Sequence, residues 1–415
     1  MFHFLSLKLF NKFFIDKNVV IIKNRKGGTN MKSKYVLVLV PLMSIALTSC
    51  SQVRKYEEHL DDYVSTMQYH NNFNILQLTD IHWNANTSTM SSKIYIEKVL
   101  AEVDRKIKED QGSDAKIDLI ELTGDQFMLG TAYQVKSFVG FFETNAEKYG
   151  FKYAIIWGNH DRHGVYNPNW LAKQFLKAKN CIYTEFDDNL YGRSNFVINL
   201  FDKDANENVW QIANLDSGAS FSETAISPFR DYDYIRKDQT DWWIQEHKHA
   251  NEGKEIPTIA YYHIPQDENE KAWQTHKDAG FKNKFFRLEG FGDNGTGNYE
   301  SDFLDKGSEH NLKAAFMGHA HNVDWTVEYK DPSWINSVTI GLGVKTGPEL
   351  YFAHVDANTT DPDMKAGLES VGINENFDLI GASMVTLTGT DGSFALEHLY
   401  LNERANGDFV KWVKW

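Results

Sequence analysis

The chain has 415 residues, of which 42% are hydrophobic and 24% are charged. This composition excludes an intrinsically disordered chain, a collagen-like fibre and a membrane protein with many spans, and the length allows one or two domains with complete hydrophobic cores. Residues 1–49 carry a net charge of +7, and subtracting it from the total of −14 leaves −21 for the remaining residues. Because so acidic a surface repels polyanions, we expect no long nucleic acid as a partner.

The first fifty residues have the pattern of a secretory signal. A charged stretch, Met31–Lys34, precedes an apolar run of 13 residues that ends in Leu47-Thr48-Ser49-Cys50. The run is shorter than the roughly 20 apolar residues that span a bilayer, and its end resembles the lipobox of bacterial lipoproteins, in which the cysteine carries the lipid. We expect an extracytoplasmic, membrane-anchored lipoprotein with its lipid on Cys50. An uncleaved anchor helix is the alternative.

These signals divide the chain into four parts. The parts are residues 1–30 as a mis-assigned upstream extension, 31–50 as the signal peptide, 51–70 as a polar tether and 71–415 as one catalytic domain. Because a signal peptide normally stands at the N-terminus of a chain, we expect translation to start at Met31 and not at Met1. The chain has two cysteines, Cys50 and Cys181, which lie far apart and exclude a disulfide framework.

Five strand-like runs in the catalytic domain each lead into polar residues. Apolar residues between Ile96 and Ile107 recur at helical spacing after the first run, which predicts a strand–helix–strand unit, and a second helix is predicted over about 132–149. Since the carboxyl ends of strands in open α/β sheets form the ligand crevice, we expect the polar residues to converge. The runs are Ile75–Leu78 before Asp80 and His82, Ile117–Leu122 before Gly124-Asp125, Tyr153–Trp157 before Gly158-Asn159-His160-Asp161, Thr258–Tyr262 before His263, and Ala314–Met317 before Gly318-His319-Ala320-His321.

The polar residues at these strand ends form a typical set of transition-metal ligands. Carboxylates, an amide and several imidazoles suit two first-row transition ions better than Mg²⁺ or Ca²⁺, which prefer oxygen. Two such ions can hold a bridging hydroxide and clamp both the attacking and the leaving oxygen of an in-line displacement. Hydrolysis of a phosphate ester is the reaction that this arrangement serves best. The set is Asp80, His82, Asp125, Asn159, His263, His319 and His321.

The motifs, in their order along the chain, resemble the pattern of the calcineurin-like metallophosphoesterase superfamily over about residues 73–400. Two segments, Tyr262-His263-Ile264-Pro265 and Leu215-Asp216-Ser217-Gly218, are similar to a branch of that superfamily related to purple acid phosphatases. The resemblance implies an α/β fold of four layers, α/β/β/α, in which two mixed sheets pack against each other between helices.

The resemblance also implies roles for the ligand set and for the residues that follow Asn159. His160 and its neighbour Asp161 are the candidate catalytic residues, because His160 matches the family histidine that stabilises the transition state or protonates the leaving group. Arg162 and His163 follow directly and are candidates for binding phosphate oxygens, with an ordinary solvated loop as the alternative. The first metal would be held by Asp80, His82 and His321, the second by Asn159, His263 and His319, and Asp125 would bridge the two.

One ligand of the purple acid phosphatases is missing. Their Gly-Asp-x-x-Tyr motif supplies a tyrosinate to Fe³⁺, whereas this chain has Gly124-Asp125-Gln126-Phe127-Met128. We therefore expect no purple chromophore and two divalent ions, Mn, Fe or Zn. The predicted function is hydrolysis of small phosphomonoesters. The alternatives are a phosphodiesterase or nucleotidase of the same fold, and a surface lipoprotein that has lost turnover and keeps a binding role.

A group of aromatic residues precedes the fourth strand. Tyr232, Tyr234 and the pair Trp242-Trp243 could stack on a nucleobase or a sugar. Buried core positions are the more common place for such residues, for tryptophan above all. The sequence leaves both interpretations open.

Overall fold

The computed structural model of the protein describes the catalytic part of the chain. The contact pattern separates Met1–Lys55 from a unit that spans Tyr56–Trp415, and the described residues belong to the second unit. The described residues are 63–83, 87–128, 130–162, 168–184, 190–219, 232–279, 285–289, 295–296, 299–348, 354–401 apart from several positions between 361 and 373, and 410–414.

Six helices and one short 3-10 helix occur in these ranges. Helix boundaries follow from capping: Thr131 and Gln134 form a capping box at the start of the second helix, and Gly150 ends it in the left-handed conformation. In the described residues, no helix is both long and apolar enough to cross a membrane. The helices are α1 (Thr87–Gln111), α2 (Ala132–Tyr149), α3 (Pro168–Phe175), α4 (Lys237–Ala250), α5 (Asp267–Asp278) and α6 (Phe303–Glu309), with the 3-10 helix over His160–Arg162.

Seventeen strands in the described residues form two large sheets and one separate pair. Their bounds are β1 (Val64–Gln68), β2 (Phe73–Leu78), β3 (Leu119–Thr123), β4 (Lys152–Ile156), β5 (Cys181–Ile182), β6 (Phe196–Asp202), β7 (Glu207–Asn214), β8 (Thr258–Tyr261), β9 (Phe285–Glu289), β10 (Leu312–Met317), β11 (Val323–Tyr329), β12 (Val338–Leu342), β13 (His354–Val355), β14 (Phe377–Asp378), β15 (Gly381–Leu387), β16 (Phe394–Leu401) and β17 (Val410–Lys414).

The first sheet has seven strands in the order β17-β16-β15-β2-β3-β4-β5. Strands β2 to β5 are parallel, and β15 to β17 extend the sheet in antiparallel fashion beyond β2. Every residue of β2 and β3 is buried, as expected for parallel strands that are covered on both faces. The predicted strand–helix–strand unit is confirmed, because α1 connects β2 to its parallel neighbour β3.

The second sheet has eight strands in the order β1-β6-β7-β8-β10-β12-β11-β9. Its central strands β7, β8, β10 and β12 are parallel, whereas β11 and β9 continue it in antiparallel fashion. Strands β8 and β10 correspond to the fourth and fifth predicted runs. Both large sheets are therefore mixed, as the resemblance implied.

Strand β1 corrects the predicted start of the folded domain. It lies within residues 51–70, which were expected to be a tether, and it pairs with β6 in parallel over five residues. The sequence Val64-Ser65-Thr66-Met67-Gln68 is too polar to show a strand pattern. As an edge strand, it is held by backbone pairing with its one neighbour, β6, and not by an apolar face. Residues 51–62 lie outside the described residues.

The two large sheets pack face to face, and polar contacts join them. Gln77 on β2 donates through Nε2 to the carbonyl oxygen of Met317 at the end of β10, at 3.1 Å. Tyr400 on β16 donates to the carboxylate of Asp324 on β11. Helix α2 contacts the first sheet at β4, and helices α4, α5 and α6 contact the second at β7, β11 and β10. This arrangement confirms the expected α/β/β/α sandwich.

Candidate metal centre

Five loops bring the predicted ligands together, and each loop lies at the carboxyl end of a strand. Strands β2, β3 and β4 of the first sheet lead into three of the loops, and β8 and β10 of the second sheet lead into the other two. The residues therefore converge where two sheets meet, and not at the edge of a single open sheet. The position follows from face-to-face packing, which places the carboxyl ends of both parallel sets on one side.

One group of donor atoms surrounds a point next to β2. The Nε2 atoms of His82 and His321 are 3.0 Å apart, and Oδ1 of Asp80 is 3.2 Å from Nε2 of His321. Oδ2 of Asp125 is 3.8 Å from Nε2 of His82. One ligand atom from each of these four residues lies within 4.8 Å of the others, and all four residues are buried. This group could hold one metal ion.

A second group shares Asp125 with the first. Asp125, His263 and His319 each offer a ligand atom, and these atoms lie within 4.8 Å of one another. Nε2 of His263 is 3.3 Å from Oδ1 of Asp125 and 3.2 Å from Oδ1 of Asn159. The carboxylate of Asp125 thus faces both groups, one oxygen toward each. That geometry is what a bridging ligand requires.

Unusual backbone conformations are concentrated at the predicted ligands. Among the described residues, eight non-glycine residues have positive φ, and half of them belong to the ligand set. Such conformations are strained and persist where the surrounding structure demands them, often at functional sites. Gly158 allows the loop after β4 to pack closely against Asp125, because a Cβ atom at this position would overlap the carboxylate and the backbone amide of Asp125. The four strained ligands are Asp80 (φ 53°), His82 (φ 49°), Asp125 (φ 53°) and His319 (φ 77°).

Surrounding hydrogen bonds fix the orientation of individual donors. Oδ2 of Asp80 accepts hydrogen bonds from the hydroxyl of Thr79 at 2.7 Å and from the amide of His319 at 2.9 Å, so Oδ1 faces the first group. Nδ1 of His263 lies 2.9 Å from the carbonyl oxygen of Thr123 and donates to it. This bond leaves Nε2 facing the second group, the arrangement typical of histidine ligands. Although burial opposes it, the nearby carboxylate of Asp125 raises the pKa of His263 to about 9, so an ion would displace the Nε2 proton on binding.

The charge states also favour cation binding. Burial and the nearby charge of Lys345 lower the pKa of His82 well below its usual value, and burial together with His263 lowers the pKa of His319 to about 3. Both rings are neutral at pH 7 and can donate a lone pair. Burial alone would raise the pKa of the Asp125 carboxyl, but the charge of His263 and its hydrogen bond lower it well below the usual range.

The donor set fits two transition-metal ions. Oδ2 of Asp125 is buried, and within the described residues it accepts no hydrogen bond. Burying a carboxylate oxygen without a partner is unfavourable, and a cation in the group would compensate for it. Neutral imidazoles with a few carboxylates are ligands that Mn²⁺, Fe²⁺ and Zn²⁺ accept more readily than Mg²⁺ or Ca²⁺.

The comparison with protein families agrees with this chemistry. The family model of calcineurin-like phosphoesterases matches residues 73–323, which is more than half of the chain. The chain belongs to the calcineurin-like phosphoesterase family. The superfamily assignment made from the motifs is thereby confirmed, whereas the closeness to purple acid phosphatases stays a prediction.

Other comparisons add little to the family assignment. No curated protein gives a match to the sequence. Among solved structures, this phosphoesterase is similar to GAP50, the anchor in the inner membrane complex of Plasmodium, with 11% sequence identity and a TM-score of 0.42. The match covers 83% of this chain and 89% of that chain. At this level of similarity it carries no argument about function.

The two candidate catalytic residues of the phosphoesterase have different surroundings. The side chain of His160 is 28% exposed, its Nε2 lies 3.9 Å from Oδ2 of Asp125, and its backbone amide donates to Oδ1 of Asp125 at 2.8 Å. Asp161 is buried, and its two carboxylate oxygens accept hydrogen bonds at 2.9 Å from the amides of Phe127 and Gly158. His160 can thus reach a bound ester, whereas the placement of Asp161 favours a role in holding the loop.

Of the two candidate phosphate-binding residues, only Arg162 lies within the described residues. Arg162 forms an ion pair with the buried carboxylate of Asp216, and its side chain stays 21% exposed. Its position next to His160 leaves binding of a phosphate oxygen a prediction. His163 lies outside the described residues.

Two residues outside the predicted ligand set support the centre. Lys345 is buried, and its ammonium group donates to the carbonyl oxygen of Asp80 at 2.6 Å. The hydroxyl of Ser217 accepts hydrogen bonds from the amides of His263 and Ile264, at 3.2 and 2.7 Å. A signal for the lysine was present, because it follows the carboxyl end of β12 just as the ligands follow their strands. A lone lysine, however, matches no metal-ligand pattern.

Proposed function

We propose that the protein is a metal-dependent hydrolase of small phosphomonoesters with a binuclear centre. The observation that carries the proposal is the shared carboxylate of Asp125, which faces both donor groups. Membership of the calcineurin-like phosphoesterase family supports the reaction class. The proposed ligands are those that the motifs predicted, with Asp125 as the bridge.

The two ions, when bound, would supply Lewis acidity and an activated water for in-line attack on phosphorus. The residues of the chain orient the ions and the ester. His160 lies beside Asp125 with its ring partly exposed, so it can donate a hydrogen bond to the phosphoryl group or a proton to the leaving alkoxide. Arg162, two residues further on, can bind a non-reacting oxygen, and a monoester dianion offers more such oxygens than a diester.

The preference is tested with two chromogenic esters. The full-length protein is stripped of metal, reloaded with Mn²⁺, Zn²⁺ or Fe²⁺, and assayed with p-nitrophenyl phosphate and bis(p-nitrophenyl) phosphate. We expect a larger kcat/KM for the monoester. A larger value for the diester would favour the phosphodiesterase alternative. Two bound ions without turnover of either ester would favour the binding lipoprotein.

The cellular location is part of the proposal and has its own test. The Leu47-Thr48-Ser49-Cys50 sequence supports a lipid on Cys50 and a place outside the cytoplasm. Expressed in bacteria, the chain should take up a radiolabelled fatty acid and sediment with membranes. Cys50→Ala should lose the label. A labelled Cys50→Ala variant would contradict the proposed anchor.

A further inference from the structure

Three planar side chains lie in a row beside the metal centre. Tyr232, Tyr234 and Arg236 are partly exposed, whereas the intervening Asp233 and Ile235 are 4% and 0% exposed. Such alternation is typical of an extended segment, in which every second side chain points to the same side. Arg236 itself has extended backbone angles, φ −88° and ψ 158°. We call Tyr232, Tyr234 and Arg236 the stacking row.

The stacking row begins at the proposed second metal. The ring of Tyr232 meets the imidazole of His319 edge to face, with centroids 4.3 Å apart and planes at 81°. His319 belongs to the donor group that shares Asp125. A group attached to a phosphate at this centre can therefore reach Tyr232.

Neighbouring residues hold the other two members of the row in place. Tyr234 stacks on Tyr299 with centroids 5.2 Å apart and planes at 11°, and Tyr299 is 36% exposed. The guanidinium of Arg236 lies 3.6 Å above the centroid of the Tyr191 ring and 5.8 Å from that of Tyr234. Rings that are already fixed lose little conformational entropy when a ligand stacks on them.

The positive charge of the row is balanced by a neighbouring carboxylate. Arg236 lies 3.4 Å from Oδ1 of the buried Asp233, so a carboxylate balances its charge. A ligand would thus be recognised by the shape of a flat ring more than by a second negative charge.

The spacing suits a ring that is set back from the phosphate. Alternate residues of an extended segment are separated by about 6.6 Å, so Tyr234 lies roughly that far beyond Tyr232. A ring joined to the phosphate through a sugar-sized spacer would reach Tyr234. The neighbouring tryptophans take no part in stacking, since Trp242 and Trp243 are 1% and 0% exposed on α4 and belong to the core.

We propose that the stacking row binds a planar aromatic ring in the leaving group, so that the preferred substrates are phosphomonoesters that carry a nucleobase or a similar flat ring. This inference rests on the proposed hydrolase function. The stacking row would favour base-containing esters among the phosphomonoesters that such an enzyme could cleave, because aromatic side chains stack on the π face of any nucleobase.

Two matched pairs of esters test the proposal. Adenosine 5′-monophosphate and ribose 5-phosphate share the same primary alkoxide and differ in the base, whereas benzyl phosphate and cyclohexylmethyl phosphate compare a flat ring with a puckered one. We expect kcat/KM to favour adenosine 5′-monophosphate by about tenfold or more, the effect of a single base–aromatic stack. A preference within the second pair would extend the recognition to aryl rings, and its absence would restrict it to nucleobases.

Variants assign the preference to the row. Tyr234→Ala should reduce the ratio between the two ribose esters to near one, and Tyr234→Phe, which keeps the ring, should preserve it. Tyr133→Ala removes a tyrosine that is 69% exposed on α2 and should leave the ratio as it is. Equal kcat/KM for both ribose esters in the wild type, or an undiminished ratio in Tyr234→Ala, would overturn the inference while the hydrolase function stands. If p-nitrophenyl phosphate, its diester and all four of these esters resist cleavage with every metal, the hydrolase function itself is overturned.

Discussion

The carboxylate of Asp125 is the residue on which both donor groups depend. Each of its oxygens faces a different histidine, His263 or His82, and its backbone lies in the strained left-handed region. His160 contacts the same carboxylate through its backbone amide, and its side chain is 28% exposed. Loss of Asp125 should therefore affect metal binding, and loss of the His160 ring should affect the reaction.

These roles predict different results for two alanine variants. Asp125→Ala should lose bound metal and activity together, because it removes the shared ligand. His160→Ala should keep both ions and lose about 10²–10⁴-fold in kcat, the usual contribution of general acid–base catalysis. Metal content by atomic emission and kcat for p-nitrophenyl phosphate distinguish the two. An Asp125→Ala variant with full turnover would contradict the bridging assignment.

Lys345 influences the first donor group through both position and charge, and the two effects have opposite signs. Its ammonium holds the carbonyl oxygen of Asp80, whereas its positive charge opposes a cation nearby. Lys345→Met keeps an unbranched, slightly shorter side chain and removes both the hydrogen bond and the charge. If holding Asp80 dominates, metal affinity should fall by about 10–100-fold, as for other groups that support metal ligands. Competition with a fluorescent chelator measures it.

A matched lysine provides the control for this variant. Lys330 is exposed and also donates to a carbonyl oxygen, that of Ile335. Lys330→Met should leave metal affinity as it is. Tighter metal binding by Lys345→Met would mean that charge repulsion dominates over positioning.

At the scale of elements, the loops after β3 and β4 act as one unit. Asp161, in the 3-10 helix after β4, accepts a hydrogen bond from the amide of Phe127 in the loop after β3 and another from Gly158 in its own loop. The loop after β4 carries Asn159 and His160, and the loop after β3 carries Asp125. The buried carboxylate of Asp161 thus helps to fix the relative position of these three residues, together with the hydrogen bond from the His160 amide to Asp125.

This arrangement predicts a stability effect for Asp161→Asn. The amide retains one acceptor oxygen, so one of the two buried N–H groups loses its partner, which costs about 1–3 kcal/mol. We expect the free energy of unfolding of the metal-free protein to fall by that amount in urea titrations, together with a lower kcat. A lower kcat at unchanged stability would instead support direct participation of Asp161 in catalysis.

At the scale of the whole molecule, the interface between the two sheets contains an ionisable group outside the metal centre. Glu121 on β3 is fully buried, and burial raises the pKa of its carboxyl to about 8 against the opposing effect of Asn214 on β7. The folded protein therefore keeps this carboxyl protonated at pH values where the unfolded chain has released the proton. Stability from this group is complete below about pH 4.5 and is lost as the pH rises toward 8.

The sign of this effect predicts the behaviour of Glu121→Gln. An amide cannot ionise, so the variant should be more stable than the wild type by about 4 kcal/mol at pH 8 and by little at pH 4.5. Thermal or urea unfolding at both pH values measures the difference. Glu97→Gln changes a glutamate that is 47% exposed on α1 and should show no such pH dependence. An equal effect of Glu121→Gln at both pH values would contradict an elevated pKa.

Much of this molecule follows from local sequence. Each apolar run has the length and period of its strand or helix, and the polar residues directly after the runs carry the chemistry, so the ligand set and the α/β class could be predicted from residues such as Asp80 and His263. These signals are local because strand period and strand-end chemistry are properties of a few consecutive residues.

Tertiary structure alone decided the features that depend on distant partners. The polar strand β1 becomes part of the second sheet through pairing with β6, more than 100 residues away. Lys345 reaches Asp80 across 265 positions, and Tyr232 meets His319 only because their loops lie side by side. Neither contact could be predicted from a local sequence pattern, because tertiary packing brings together segments that are far apart in the chain. The ligand chemistry of the centre and the stacking candidates Tyr232 and Tyr234 could thus be predicted from the sequence, whereas the position of these tyrosines beside His319 could not.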